Sequence, residues 1–316
     1  MDSTPEVTFV IPMYNEAEVF HSLIDRMNTL MDRIGRPCEV ILVNDGSKDH
    51  TPELMDTLAM VDTRYQCIHL SRNFGHQRAL GAGLDHATGA YIMMLDADLQ
   101  DPPELFFDFL AKINEGFDVV YGVRQKRKEG IVKRTLYSSF YKLINRISNY
   151  PIPKNTGDFG MITRQVLKAI NNNREDSRFL RGVRSWVGFR QTGLEYERLG
   201  RFAGSTKYTL RKLVKLAMDG IFNYTILPIR LLTIAGVFCM SSSFIYLFYA
   251  LYNKFVTKES PEGFTALLFV VILFGGIQLI SIGIIGEYVQ RIFFQVKQRP
   301  LYVVRKRIHK GLEYYE

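Results

Sequence analysis

The chain has 316 residues, 47% of them hydrophobic, and a formal net charge of +8 at pH 7. A chain of this length can bury a large core, and its basic character favours an anionic partner: a phosphorylated substrate, a membrane surface or a nucleic acid. Its three cysteines have no metal-site spacing, which excludes a cysteine-based zinc site and fits a soluble part in a reducing compartment.

The first hundred residues alternate between apolar strands and helical segments. Apolar runs at 7–11, 40–43, 67–70 and 92–95 are predicted to be buried strands. Helices are predicted between them, and the first has an apolar face made of Val19, Leu23, Met27, Leu30 and Met31. This alternation predicts a Rossmann-like α/β domain with a mostly parallel sheet.

Polar residues follow the first three predicted strands, at 13–16, 44–47 and 71–76. The carboxyl ends of parallel strands share one edge of a sheet, and ligands bind there, so these residues are expected to converge. No dinucleotide fingerprint follows a strand and no phosphate-loop Gly-Lys-Ser/Thr motif is present, which excludes the common dehydrogenase and nucleotide-hydrolase classes.

The fourth strand ends in Asp96-Ala97-Asp98-Leu99-Gln100-Asp101-Pro102-Pro103. Two carboxylates separated by one residue can hold a hard divalent ion, Mg²⁺ or Mn²⁺, and that ion could neutralise a diphosphate. The alternative is that Asp98 and Asp101 only cap a turn and the helix that starts near Pro103.

Two long uncharged runs, 231–252 and 264–286, lie late in the chain. Each is long enough to cross the hydrocarbon core of a bilayer, which needs about 20 helical residues. A polar loop at 253–263 joins them, and basic residues concentrate before the first run and after the second. The positive-inside rule then predicts a transmembrane hairpin with both termini, and the whole soluble part, in the cytoplasm.

The remaining segments complete the predicted organisation. Residues 131–149 have one apolar and one basic helical face. An ordinary surface helix fits this pattern equally well, but the hairpin favours an amphipathic helix in the membrane interface. An α/β domain is predicted over 1–209, a juxtamembrane helix over 210–230, the hairpin over 231–286 and a basic cytoplasmic tail over 287–316.

Several motifs, in order along the chain, resemble glycosyltransferase family 2, whose members have the GT-A fold. They are Pro12-Met13-Tyr14-Asn15-Glu16, Asn44-Asp45-Gly46-Ser47-Lys48-Asp49 and the stretch from Asp96 to Pro103. Together with Arg72-Asn73-Phe74-Gly75 and the hairpin, they make nearly the whole chain similar to polyprenyl-phosphate glycosyltransferases. The bactoprenol glucosyltransferases resemble it most, and dolichyl-phosphate mannose synthase resembles it more distantly.

On the donor side, the resemblance implies that one set of residues binds the nucleotide sugar: Pro12, Tyr14, Glu16, Asp45, Arg72, Asp96 and Gln100. It places the divalent metal, Mg²⁺ or Mn²⁺, on Asp98 and Asp96. Asp98 is thereby a candidate catalytic residue, because the developing charge of the leaving nucleoside diphosphate must be stabilised. Glu16 and Asp45 have plainer alternatives, at a helix N-terminus and in a turn.

On the acceptor side, residues 155–161 resemble the family's acceptor motif, with Asp158 as the candidate catalytic base. A phosphate monoester has a second pKa of about 6 and needs little deprotonation, so Asp158 can instead orient the acceptor, balance charge or shape a turn. Contacts to phosphate and acceptor are further expected from Arg124, Arg127, Arg134, Arg201, Ser205 and Lys207. For the three arginines before residue 135, attraction to the membrane surface explains the charge equally well.

The resemblance implies inverting transfer of one hexose, glucose from UDP-glucose, onto undecaprenyl phosphate. The enzyme would be a multi-pass protein of the inner membrane that acts at the cytoplasmic face. Mannose, GlcNAc or aminoarabinose donors stay open, as does the assembly state, a homo-oligomer included. A processive polysaccharide synthase and a non-catalytic membrane adaptor are weaker alternatives. A nucleic-acid partner is not expected, because the positive charge clusters beside the hairpin.

A short arginine-rich segment bears on the processive alternative. Processive synthases use Gln-x-x-Arg-Trp, whereas here Ser185 separates Arg184 from Trp186 and the glutamine is absent. The segment is predicted to be an acceptor-side helix, with Trp186 packed in the core.

Overall fold

A computed structural model of the chain describes residues 4–125, 156–173, 180–198, 227–257 and 263–315. These residues fall into two compact units. The first contains those up to 125, those from 156 to 198 and those from 299 onward, and the second contains those from 227 to 298.

The centre of the first unit is the parallel sheet that the alternating pattern predicts. Strands β1 (Val7–Met13), β2 (Cys38–Asn44), β3 (Tyr65–Leu70) and β4 (Tyr91–Met94) lie in the order β4-β1-β2-β3, all parallel. Their side chains are almost all buried because helices cover both faces of the sheet. The intervening helices are α1 (Phe20–Ile34), α2 (Thr51–Val61) and α3 (His76–His86).

Beside β4 the sheet becomes mixed. Strand β6 (Thr156–Thr163) is antiparallel to β4 and to β5 (Val119–Arg124), and β7 (Gln191–Tyr196) is parallel to β5. This arrangement brings the start of β6, with Asp158, beside the end of β4. Three further helices complete this side: α4 (Phe106–Asn114), α5 (Arg164–Asn172) and α6 (Leu180–Trp186).

The hydrophobic pattern of the first helices packs as predicted. The apolar face of α1 is buried on one face of the sheet, together with Phe9, Leu42 and Phe106. On the other face, α3 lies so close to β1 that a Cβ on Gly83 would be 2.2 Å from Val10 Cγ1. Gly83 therefore serves close helix–sheet packing.

The segment predicted as a basic tail contributes strands to the sheet. Strand β8 (Val304–His309) pairs antiparallel with β3, and β9 (Leu312–Tyr314) pairs with β8, so the described residues form a nine-stranded sheet. Val304 and Ile308 are buried, and Lys306 Nζ lies 2.9 Å from both Asp56 Oδ2 and Glu313 Oε1. Strand β8 thus covers an otherwise open edge of the sheet at β3.

Replacing Ile308 with alanine is expected to lower the free energy of unfolding of the first unit by about 2–4 kcal/mol, because the fully buried side chain leaves a cavity. Urea unfolding of the detergent-solubilised protein, followed by the fluorescence of its single tryptophan, measures the change. Val303→Ala is the matched control, since Val303 is half-exposed and should change stability by less than about 0.5 kcal/mol. Equal effects of the two variants would contradict a structural role for β8.

The second unit contains two long apolar helices. They are α7 (Leu227–Tyr252), followed by a π-helical turn over Asn253–Thr257, and α8 (Phe264–Val296). By length and composition, Pro228–Tyr252 and Leu273–Val296 are each sufficient to cross a membrane. The two predicted spans lie within these helices, although α8 continues past Gly286 to Val296.

The prediction that Trp186 is packed in the core is wrong. Its side chain is 49% exposed, because α6 turns Leu180, Val183 and Arg184 towards the sheet and leaves Trp186 on the other side. The predicted amphipathic helix at 131–149 lies outside the described residues, as does nearly all of the predicted juxtamembrane helix at 210–230.

Candidate active site

The loops after β1 and β2 are tied together at the carboxyl edge of the sheet. The Asn15 backbone N–H donates to Ser47 Oγ at 3.0 Å, and the Lys48 backbone N–H donates to Asn15 Oδ1 at 2.8 Å. Asn15 has φ +55°, a left-handed conformation that asparagine tolerates better than most residues. The neighbouring Tyr14 is 44% exposed, and its ring is therefore available to a ligand at this edge.

Asp45 holds the next loop in place. Its carboxylate accepts the backbone N–H of Phe74 at 2.7 Å and that of Gly75 at 2.9 Å. Burial raises the pKa of Asp45 above its ordinary value, although these two hydrogen bonds oppose the shift. A Cβ on Gly46 would lie 2.6 Å from the backbone of Arg72, so the loops after β2 and β3 pack backbone against backbone.

Replacing Asp45 with alanine is expected to cost about 1–3 kcal/mol of stability, because two partly buried N–H groups lose their acceptor. Asp45→Asn is the matched comparison: it keeps one acceptor oxygen and should lose clearly less. Urea unfolding followed by Trp186 fluorescence measures both. An alanine variant as stable as the wild type would show that Asp45 does not hold this loop.

The acidic turn after β4 combines a local structural role with partly buried carboxylates. Asp98 Oδ1 accepts the Gln100 backbone N–H at 3.2 Å, which is the turn contact expected under the capping alternative. Leu99 has φ +55°, a strained conformation for a branched side chain and one that clusters at functional sites. Oδ2 of Asp98 stays directed towards the cluster described next.

Asp101 is the buried centre of that cluster. The carboxylate is completely inaccessible to solvent, and it accepts the Tyr196 hydroxyl at 2.5 Å and Arg198 Nε at 3.0 Å. Arg124 Nη2 approaches its other oxygen at 3.4 Å, and Arg124 Nε donates to the Tyr196 hydroxyl at 3.3 Å. Asp101 therefore joins the end of β4 to the ends of β5 and β7, a role larger than the helix cap considered for it.

Arg198 also reaches the two carboxylates of the Asp-x-Asp motif. Its Nη2 lies 3.9 Å from Asp96 Oδ2 and 3.8 Å from Asp98 Oδ2. Both carboxylates can therefore face one cation. Two hard carboxylate ligands fit Mg²⁺ or Mn²⁺, which typically complete their coordination with substrate phosphates and water. Among the described residues, no group of three or more metal-ligating side chains comes together.

Asp158, at the start of β6, is held firmly. Gln77 Nε2 donates to Asp158 Oδ2 at 2.6 Å, while Gln77 Oε1 accepts the Leu180 backbone N–H at 3.0 Å. Arg181 Nε lies 3.3 Å from Asp158 Oδ1. The side chain of Asp158 is only 10% exposed, and its contacts with Gln77 and Arg181 fix its orientation.

His76, the first residue of α3, lies between the two acidic groups. Its Nε2 is 3.4 Å from Asp96 Oδ1 and 3.8 Å from Asp158 Oδ2. Burial raises the pKa of Asp96, and the proximity of His76 opposes that shift. The carboxylates of Asp101, Asp158 and Asp98 raise the pKa of Asp96 further, so extra positive charge is favoured here.

Behind Asp158 lies a buried arginine. Arg184 is 4% exposed, and its guanidinium stacks 4.5 Å from the centre of the Tyr121 ring. Within the part of the chain that the structure describes, its Nε and Nη2 have no hydrogen-bond partner. Burial lowers the pKa of Arg184 to about 10, although Asp158 opposes the shift. The adjoining cavity, lined by Asp158, Arg181 and Arg184 among others, has a volume of about 10 Å³, enough for about one water molecule.

The predicted site residues that the structure describes lie along this edge. Pro12 is buried at the end of β1, Gln100 is 4% exposed, and Arg72 is exposed with its guanidinium 4.2 Å from the centre of the Phe74 ring. Outside the described residues are Arg127, Arg134, Arg201, Ser205 and Lys207. Sequence patterns missed the roles of His76, Gln77, Asp101, Arg181, Tyr196 and Arg198.

The chain belongs to glycosyltransferase family 2. The family model, described as glycosyl transferase family 2, matches residues 8–170, which contain β1 to β6 and the acidic groups above. The α/β fold is of the GT-A type, parallel at its centre and mixed at its edges.

The relatives extend this similarity over nearly the whole chain. The uncharacterized glycosyltransferase YkcC of Bacillus subtilis is 43% identical over 302 residues, covering 95% of this chain and 94% of its own. The bactoprenol glucosyl transferase of Shigella phage SfII is 37% identical over 307 residues, covering 97% of this chain and 99% of its own. Among solved structures, this chain is similar to glucosyl-3-phosphoglycerate synthase of Mycobacterium tuberculosis in complex with Mn²⁺, UDP and phosphoglyceric acid. The sequence identity is 16% and the TM-score is 0.46, and the match covers 68% of this chain and 76% of the other.

Proposed function

We propose that this protein is a membrane-bound, metal-dependent, inverting glycosyltransferase that moves one hexose from a nucleotide sugar onto a polyprenyl phosphate. Glucose from UDP-glucose and undecaprenyl phosphate are the proposed substrates. Family membership supports the reaction class, and the similarity to proteins named bactoprenol glucosyl transferase supports the sugar and the lipid.

One set of contacts carries this proposal. His76 Nε2 lies within 4 Å of Asp96, which belongs to the motif expected on the donor side, and of Asp158, which belongs to the motif expected on the acceptor side. A sugar held between donor and acceptor must have both groups within a few ångströms of its reacting carbon. The convergence of the two motifs supports transfer at this edge of the sheet.

On the donor side, the loops after β1, β2 and β3 would bind the nucleotide, with Tyr14 exposed and Asp45 fixing the third loop. The Asp96 and Asp98 carboxylates would hold Mg²⁺ or Mn²⁺, which stabilises the developing charge on the leaving diphosphate. Arg72 and Gln100 are proposed donor contacts on the same edge.

On the acceptor side, the lipid phosphate is already largely a dianion at neutral pH, because its second pKa is about 6. Asp158 is held by Gln77 and Arg181, and this clamping suits a carboxylate that orients the acceptor and balances charge. Arg124 and the basic residues at 127, 134, 201 and 207, with Ser205, are proposed to bind the acceptor and diphosphate groups.

We propose a cytoplasmic-membrane location with the transferase domain in the cytoplasm. The chain leaves the first unit before α7 and returns to it after α8, because β8 pairs with β3. Both ends of the apolar segment must therefore lie on one side of the membrane, which supports an even number of crossings. The two apolar helices supply two.

A transfer assay tests this function. Full-length protein in detergent is incubated with undecaprenyl phosphate, Mg²⁺ or Mn²⁺, and radiolabelled UDP-glucose, GDP-mannose, UDP-GlcNAc or a UDP-aminoarabinose in turn. The expected product is a lipid carrying one sugar, formed from UDP-glucose and lost on addition of EDTA. A single-sugar lipid from another donor would overturn only the choice of sugar.

Two other outcomes would overturn the reaction itself. Long polymer would identify a processive synthase, and no transfer from any donor would favour a non-catalytic adaptor. Transfer that continues unchanged after addition of EDTA would contradict the proposed requirement for a metal.

A further inference from the structure

Arg198 has two different sets of contacts at the two parts of its guanidinium group. Nε is 3.0 Å from Oδ1 of the fully buried Asp101, which anchors the group. Nη2 lies 3.8 Å from Asp98 Oδ2 and 3.9 Å from Asp96 Oδ2, the two carboxylates proposed to hold the metal. The side chain of Arg198 is 26% exposed.

We propose that Arg198 competes with the divalent ion for the carboxylates of Asp96 and Asp98, so that the metal binds tightly only together with the donor diphosphate. This inference rests on the proposed metal-dependent transfer and adds a residue that couples metal binding to donor binding. Arg198 acts as a positioning residue for the ion.

The charges of the cluster make binding of the divalent ion and binding of the Arg198 guanidinium mutually exclusive. Three carboxylates, Asp96, Asp98 and Asp101, face two guanidinium groups, Arg124 and Arg198. A divalent ion bound to Asp96 and Asp98 would lie within a few ångströms of Nη2, where two positive charges repel strongly in a poorly solvated site. The divalent ion and Arg198 Nη2 therefore cannot both bind the Asp96 and Asp98 carboxylates tightly at the same time.

The donor removes this conflict because its diphosphate is itself a strong guanidinium ligand. Arginine binds phosphate oxygens through paired N–H groups, and such charge-assisted bonds are among the strongest that side chains form. Because the guanidinium is a rigid plane, it can pivot as a whole about its Nε–H···Oδ1 contact, which moves Nη2 from the carboxylates to the diphosphate while Asp101 keeps Nε. Metal and donor then favour each other's binding, and coupling of this kind is reciprocal.

Mn²⁺ binding to the full-length protein in detergent tests the proposal, with free Mn²⁺ measured by electron paramagnetic resonance with and without UDP. Without UDP, Arg198→Gln should bind Mn²⁺ about tenfold more tightly than the wild type, and the enhancement by UDP should shrink by a similar factor. Arg36→Gln is the matched control, because it removes the same charge from a pair with Glu6 outside the site. Its Mn²⁺ affinity should equal that of the wild type.

A folded Arg198→Gln variant whose Mn²⁺ affinity without UDP is unchanged or weaker would overturn the proposal. If that variant does not fold, Arg198→Met gives the same readout, since it also removes the charge and keeps an unbranched side chain. It should bind Mn²⁺ more tightly than the wild type, and an unchanged affinity would overturn the idea. A wild-type protein that binds no Mn²⁺ even with UDP would contradict the metal-dependent function as well. The two failures are therefore distinguishable.

Discussion

Replacing Asp98 with asparagine is expected to lower the rate of sugar transfer by about a hundredfold to a thousandfold, because the metal loses a charged ligand beside the leaving diphosphate. Asparagine can still accept the Gln100 backbone N–H through its side-chain oxygen, so the turn itself should persist. The substitution therefore separates the metal role of Asp98 from its turn role. Initial rates with the radiolabelled donor, and Mn²⁺ affinity in the presence of UDP, measure the effect.

Asp25→Asn is the control for this variant. Asp25 is exposed on α1, away from the carboxyl edge, and its loss removes the same charge without touching the site. Near-wild-type transfer by Asp98→Asn would leave the turn as the only role of that carboxylate and would refute the metal site.

Replacing Asp101 with alanine is expected to destabilise the first unit by about 3–5 kcal/mol. The buried carboxylate pairs with two arginines and a tyrosine hydroxyl. Removing it takes the carboxylate partner away from Arg124 and leaves Arg198 with only its longer contacts to Asp96 and Asp98. Transfer activity should also fall, since both arginines belong to the proposed site. Urea unfolding monitored through Trp186 fluorescence gives the stability change.

Tyr196→Phe provides the comparison for the Asp101 variant. It removes one donor and leaves both ion pairs, so a loss of about 1 kcal/mol is expected. If Asp101→Ala were no more destabilising than Tyr196→Phe, the carboxylate would not be the electrostatic centre of this cluster.

The parallel centre of the sheet could be predicted because its signals are local. Buried runs such as 40–43 are short and apolar, and the 3.6-residue spacing of Leu23, Met27 and Leu30 places them on one face of α1. Strand β8 was missed because three consecutive basic residues separate Val304 from Ile308, so no two-residue alternation of apolar side chains is visible. Its partner, β3, lies more than 200 residues earlier, and no local pattern identifies such a pairing.

The difference between local and long-range signals applies to the site as well. Asp96 and Asp98 stand in a recognisable motif at a strand end, so their chemistry could be proposed from sequence. Asp101 was interpreted as a turn or helix cap, because its partners Tyr196 and Arg198 are almost a hundred residues away. Roles that depend on burial and long-range ion pairs required the fold.

The position of β8 at the sheet edge has a consequence for biosynthesis. The ribosome completes both long apolar helices before it makes β8, so the transferase sheet cannot be finished until the hairpin has emerged. Until then β3 presents unpaired backbone groups along an apolar strand, the kind of edge that joins neighbouring chains into aggregates. A soluble fragment that ends before residue 227 keeps that exposed edge permanently, whereas one that fuses 299–316 directly behind the first unit would restore its cover.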